Sequence, residues 1–389
     1  MDRCSPDGPL ERACALGPEI AAAARAIEET RRIPEPLLTR IHDARLARLL
    51  LPLCYGGEEV TPVCYFETLS EIGRHDASVA WNLFVANSAC LITPFLEPAT
   101  ARLIYADPRA VMAWGPPDTQ RARAVDGGYI VSGTWHFASG CRQANWMGAH
   151  CQVEEVDGSV RLNRLGRPVV RSFLFPVEEA ERIDTWHTLG LRGTASDSYR
   201  VANLFVPESR TGTREEPEKR RVAGPLYWFT QQGLYAVGVA AVALGTARGM
   251  FEGLLALART KTPRGMPRLA EQSAIRALVA RSHARLSASD AWMCRILDEL
   301  TAAAADTGAM GLEDRARLRL ATIEAISSAI GVADRIHKAA GVSAIFHGDG
   351  PFERRFRDIH TLSQQVQSRD AHFEEVGAIM LGHRPEVYY

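Results

Sequence analysis

The sequence predicts an α+β protein of 389 residues in three consecutive parts. These are an N-terminal helical domain (1–110), a middle β domain of barrel or sandwich type (111–210) and a C-terminal helical bundle (211–389). Three observations predict this order. Strong helix formers crowd the first hundred residues, short β-rich runs follow Pro108, and long apolar stripes at three- and four-residue steps fill the last part.

Gly17–Thr30 contains PEIAAAARAIEE and reads as the first helix. A second spans about Pro36–Ala47, a loop covers Pro52–Glu58, and a third starts near Pro62 and passes Ile72. Asp76 or Ser78 caps a fourth that reaches about Thr93. Asp126-Gly127-Gly128 is a turn signal before the alternating run YIVSGTW at Tyr129–Trp135. Asn145–Val153, Ser172–Pro176 and Asp197–Val206 are further strand candidates. Ser209–Gly224 is charged and reads as a solvated linker. Beyond it, Ile275, Leu278, Ser282, Leu286, Met293 and Ile296 share one helical face, and Ile323, Ile326, Ile330, Ala333 and Ile336 share another, which Gly341 ends. Gly238, Gly245 and Gly249 predict close approach of a second helix.

Composition narrows the function. Hydrophobic residues at 46% and charged residues at 23% suit a folded protein, and a net charge of -1 gives no field to hold nucleic acid. Met1–Ala13 lacks an apolar signal core, and the longest membrane candidate, Gly233–Gly245, has only the length of a buried helix. Eight cysteines form no CxxC and read as reduced thiols. The expectation is a cytoplasmic protein with no membrane partner. No GxGxxG, GxxxxGK[ST], HExxH, GxSxG or metal-ligand spacing occurs, so no metal is expected.

Three phrases stand out in order: SGTWHFASGCRQANW (132–146), LGLRGTASDS (189–198) and GVSAIFHGDGPFERRFRD (341–358). Chemically, the first offers a strand and turn whose hydroxyl and aromatic residues suit a flat ring, although an ordinary hairpin with buried Trp and Phe is the reading these residues alone favour. Together the three resemble the acyl-CoA dehydrogenase superfamily, from about Glu19 to Gly382. The resemblance implies a helical domain, a β domain and a four-helix bundle, a homotetramer, and a flavin between the β domain and the bundle.

Dehydrogenases of that family use a glutamate to remove the substrate's α-proton. The expected place is near Val366, beside Gln365, and no carboxylate follows before Asp370; the alternative place offers only Glu252. The phrase WHFASGCRQANW resembles instead the two-component flavin-dependent monooxygenases of this fold. The resemblance implies that reduced FMN or FAD comes from a separate NAD(P)H:flavin reductase. It reacts with O2, and one oxygen passes through a C4a-hydroperoxyflavin to an aromatic, heteroaromatic or heteroatom-bearing molecule.

Carried over by position, Phe137 covers a flavin face and Ser139 steadies the hydroperoxide near N5. Trp114 and Gly115 line the flavin edge, while Arg192, Gly193 and Thr194 shape the pocket. Arg264 contacts a flavin phosphate, and Gly348 and Gly350 approach the flavin of another subunit. Two pocket histidines of the phenol hydroxylases become Gln365 and Asn87, with His360 or His372 as substitutes. A substrate needing no deprotonation fits this pattern. The competing readings are an acyl-CoA dehydrogenase with Glu252 as relocated base, and a non-catalytic flavin-fold assembly subunit.

Overall fold

The computed structural model describes residues 7–163, 166–214, 216–305, 307–348 and 350–383. Five helices come first: α1 (Pro9–Thr30), α2 (Glu35–Asp43), α3 (Pro62–His75), α4 (Ala77–Cys90) and α5 (Pro98–Tyr105). Helix α1 begins at Pro9, ahead of the Gly17 start read from the sequence, and carries Pro18 inside it. Gly17 serves packing instead, since a Cβ there would stand 2.1 Å from the His75 ring. Helix α4 starts where Asp76 accepts the Val79 amide at 2.9 Å.

The strands are β1 (Met112–Trp114), β2 (Arg121–Val125), β3 (Gly128–Ala138), β4 (Trp146–Glu154), β5 (Val170–Pro176), β6 (Glu181–Ile183), β7 (Asp197–Pro207) and β8 (Thr211–Gly212). The β domain takes the form of one eight-stranded mixed sheet, ordered β6-β7-β3-β2-β4-β5-β8, with β1 joined to β4. Pairings of β4 with β1 and β2 are parallel, and the others are antiparallel. Strand β4 is covered on both faces. Met147, Ala149, Cys151 and Val153 enter the sheet's own core with Tyr129, Trp135, Phe173 and Tyr199. On the opposite face His150 packs against Trp114.

The remaining helices are α6 (Gln231–Thr260), α7 (Ser273–Ala303), α8 (Leu312–Ala340), α9 (Glu353–Leu362) and α10 (Ala371–Met380). The 30-residue α6 forms the axis of the large helical core. Its glycines face α3 and α4. A Cβ on Gly245 would stand 2.1 Å from the Ser70 carbonyl, one on Gly249 2.4 Å from the Arg74 carbonyl, and one on Gly238 2.6 Å from the Phe84 ring. Two segments, Ala77–Phe95 and Gln231–Thr260, are long and apolar enough to cross a membrane. The first, uncharged throughout, adds to the Gly233–Gly245 run noted in the sequence. Both lie inside the protein, 94% and 89% buried, as its central helices. None of the seven described cysteines forms a disulfide, and Cys4 lies outside the described residues.

Gly245→Ala forces a methyl into the Ser70 carbonyl and is expected to cost about 1–3 kcal/mol of stability. Gly331→Ala, whose Cβ meets only the end of Arg335, is expected to be neutral or stabilising. Chemical denaturation of the pair checks this; equal effects would contradict the close-packing account of α6.

Candidate active site

The end of β3 leaves ordinary strand geometry between Trp135 and Ala138, where its register with β7 shifts. Phe137 has φ of 62°, rare for a non-glycine residue, and its ring stands 62% exposed, edge-on to Trp186 at 6.3 Å. Ser139 then turns inward and is buried. Its Oγ accepts the Trp81 indole N–H at 3.1 Å and meets Ser196 Oγ at 2.7 Å. Ser196 Oγ meets Thr194 Oγ1 at 2.7 Å, and Thr194 donates to the Leu191 carbonyl at 2.8 Å. That last bond sets the direction of the row. Each hydroxyl has one proton, so Ser196 donates to Thr194 and Ser139 donates to Ser196. Ser139 therefore offers a ligand an acceptor lone pair, not a proton.

The loop carrying Thr194 is strained and pinned. Leu191 and Ala195 have φ of 49° and 41°. Asp358 Oδ1 accepts the Leu191 amide at 2.6 Å, and Arg357 donates to the Leu189 carbonyl at 2.7 Å. Gly190 lies so close to α9 that a Cβ would stand 2.2 Å from the Arg357 carbonyl. Asp358 is buried beside Arg354, which also pairs with Asp76, the N-cap of α4. Burial pushes the Asp358 carboxyl up to about 6 against the pull of Arg354. Asn82 donates to the Gly193 carbonyl at 3.2 Å, while its buried Oδ1, near Gly140, makes no hydrogen bond.

An aromatic row leads away from Ser139. Trp81 meets Phe84 at 4.8 Å and Phe84 meets Tyr235 at 4.8 Å, both edge to face. The Tyr235 hydroxyl hydrogen-bonds the Gln365 side chain, and burial pushes the phenol up to about 12. The row thus presents neutral groups from three helical regions.

The structure joins some of the sequence-selected residues and separates others. Ser139 and Thr194 share the hydroxyl row, Gly193 is wedged against Ile27 and Ser78, and Gln365 closes the aromatic row. Arg192 points outward, 3.7 Å from Glu28. Trp114 lies buried on His150 at 4.6 Å, and Gly115 packs on the β3 backbone at His136.

Asn87 has another task. It is wholly buried, takes the Leu50 amide and donates to the carbonyls of Leu46 and Leu83, so its amide is spent on holding the chain before α3 to α4. His360 binds Asp334 at 2.8 Å on the α8–α9 surface and rests on Phe356; His372 binds the Val366 carbonyl. Neither meets the Ser139 row. Arg264 is exposed and has no hydrogen bond or ion pair among the described residues, and open space surrounds Gly348 and Gly350. Glu252 is an exposed acid paired with Arg74 at 3.0 Å. It sits about 25 Å along α6 from Tyr235. It is not placed to act as the relocated base. Trp81, Asn82, Phe84 and Tyr235 were not selected from the sequence, since their helical spacing reads as core, and Ser196 lies inside the LGLRGTASDS phrase without having been singled out.

A flavin fits these residues. The exposed Phe137 ring lacks a flat partner, the buried Asn82 Oδ1 lacks a donor, and Ser139 has a spare lone pair. Comparison with known proteins agrees. The acyl-CoA dehydrogenase N-terminal domain family matches residues 16–103 and the C-terminal domain family matches residues 237–369. HsaA of Mycobacterium tuberculosis, the oxygenase subunit of a flavin-dependent monooxygenase, is 29% identical over 89% of this chain and 88% of its own. Indole-3-acetate monooxygenase of Acinetobacter baumannii is 26% identical over 92% and 90%. XiaF from Streptomyces, solved with FADH2 and glycerol, has the same fold with a TM-score of 0.88 at 24% identity, covering 98% of this chain and 96% of that one.

Asp358→Ala removes the Leu191 acceptor and leaves Arg354 half-paired, and is expected to cost about 3–5 kcal/mol. The pH dependence has a definite sign. A carboxyl raised from 3.8 to about 6 contributes stability that is fully present below about pH 4 and lost as pH rises through 6. Wild type is therefore expected to lose stability relative to Asp358→Asn between those limits. Denaturant titrations across that range would contradict the assignment if the difference stayed flat. The two matching domain families, with the likeness to flavin-dependent monooxygenase oxygenase subunits, place the chain in the acyl-CoA dehydrogenase superfamily, on its branch of two-component flavin-dependent oxygenases.

Proposed function

We propose that this chain is the oxygenase component that binds reduced FMN or FAD beside Ser139 and oxygenates an aromatic or heteroaromatic small molecule on the Trp81–Phe84–Tyr235 row. The observation that carries this reading is the direction of the Ser139 hydroxyl row. Reduced flavin, when bound, supplies the electrons that activate O2. The protein's part is to hold, orient and keep dry. Ser139 would accept the N5–H of the ring with its free lone pair and so hold that proton in place. Phe137 would cover one face of the ring, and Asn82 Oδ1 would accept a ring N–H. A fixed acceptor in a buried turn would keep a ring proton held there from exchanging with water.

Among the described residues, the substrate end shows no base. Tyr235 keeps its proton, Gln365 does not titrate, and His360 and His372 are engaged elsewhere. Rings rich enough in electrons to accept oxygen without deprotonation suit it, and the indole ring of the Acinetobacter relative's substrate is one. A separate NAD(P)H:flavin reductase delivers the cofactor in the cytoplasm. The chain works as a homotetramer in which Ile345 and Phe346, 62% and 68% exposed in the single chain, become covered.

Ser139→Ala is expected to raise H2O2 release per flavin oxidised by roughly ten-fold while reduced-flavin affinity changes little. Peroxide quantitation beside a binding titration checks it, and unchanged coupling would remove Ser139 from the mechanism. Light scattering tests the tetramer.

A further inference from the structure

Most interior arginines in the described structure are matched. Arg48 donates to three backbone carbonyls, Arg354 pairs with Asp76, and Arg355 donates to the carbonyls of Arg74 and His75. Arg214, just after β8, is different. Its guanidinium lies over the Trp114 indole, 5.6 Å from the ring centroid. Its Nη1 is sealed from solvent and makes no hydrogen bond, and it has no ion pair among the described residues. Burial alone pushes the guanidinium down to about 9, with no carboxylate acting on it. His150, on which the Arg214 charge acts, is pushed down to about 3, chiefly by burial, so it stays neutral, sharing a hydrogen bond of 3.0 Å with Ser172. Arg214 as a whole is half-buried, but an unmatched guanidinium nitrogen shut off from water is costly, and the cost is recovered when an anion arrives.

The corner is coupled to the Ser139 end of the sheet. The Trp135 indole N–H donates to the His150 carbonyl at 3.1 Å, and Gly115 packs on the backbone of His136. Both contacts lie on the β3 segment that ends in the Phe137–Ser139 turn. Resting on the reduced-flavin reading above, we propose that Arg214 and Trp114 form a site for a flat, delocalised monoanion belonging to a ligand of the active site. Two sources have this chemistry: the carboxylate of an aromatic acid substrate, and the ring of reduced flavin, which is anionic at neutral pH whereas the oxidised ring is not. The edge of a guanidinium over an indole floor matches either plane.

The test compares wild type, Arg214→Leu and Arg214→Lys. One arm titrates reduced and oxidised FMN anaerobically; both carry the same phosphate and Ser139 is the same in every variant, so the change in their difference between variants reports the ring charge. The other arm titrates indole-3-acetate and its uncharged analogue 3-methylindole. The expected result is a loss of roughly ten-fold or more in affinity for one anion in Arg214→Leu, with its neutral counterpart unchanged and partial recovery in Arg214→Lys. Which arm responds identifies the source. Ligand-free Arg214→Leu is also expected to melt no lower than wild type, because it removes an unmatched charge. Equal anion binding by wild type and Arg214→Leu, or a melting point several degrees lower, would overturn the proposal. A wild-type protein that binds indole-3-acetate through Arg214 but no reduced flavin would overturn the functional reading instead.

Discussion

The buried pair of Arg354 and Asp358 on α9 is the constraint on which the rest of the site depends. Asp358 takes the amide of Leu191, and Arg354 reaches Asp76, which starts α4. One short helix thereby fixes a β-domain loop and the helix that carries Trp81, Asn82 and Phe84. The loop needs such a clamp, because Leu191 and Ala195 hold backbone angles that ordinary side chains disfavour. The clamp spans three parts of the chain, so the fold and the site are stabilised together. A buried ion pair contributes modestly to stability when intact and becomes expensive when one partner is removed, which suits a role in position more than in strength.

What the clamp positions is a row of hydroxyls with a fixed direction. Because Thr194 gives its proton to the Leu191 carbonyl, the polarity runs back through Ser196 to Ser139. The serine nearest the ring site is thus an acceptor by construction. A proton donor there would compete with the cofactor's own N–H for the same space. The aromatic row beyond it ends in a phenol that burial keeps protonated and the Gln365 amide bonded to it. Chemistry in such a place comes from orientation and exclusion of water more than from acid–base catalysis.

The sequence made much of this legible, and the limits have physical causes. The helix-strand-helix order, α6 to α8 and the longer strands follow from periodicity and turn residues, whereas β1, β6 and β8, two or three residues each, are too short to show alternation. Ser139 and Thr194 were found because they sit in compact phrases. Trp81, Tyr235 and Arg214 were not, since each matters through a partner far away in the chain. Asn87 was carried over by its position in the family resemblance and His360 was named as a substitute base, and a position along a helix does not tell what the side chain touches. In the fold, backbone carbonyls and Asp334 take them.

The central claim, that this protein binds reduced flavin and controls its reaction with oxygen, is tested most directly by rapid mixing. Anaerobic protein with reduced FMN is mixed with oxygenated buffer, and absorbance is followed alongside peroxide release. The account predicts a delay before the oxidised flavin spectrum appears, much longer than for free flavin and shortened in Ser139→Ala. Oxidation at the rate of free flavin, in one step and regardless of Ser139, would contradict it.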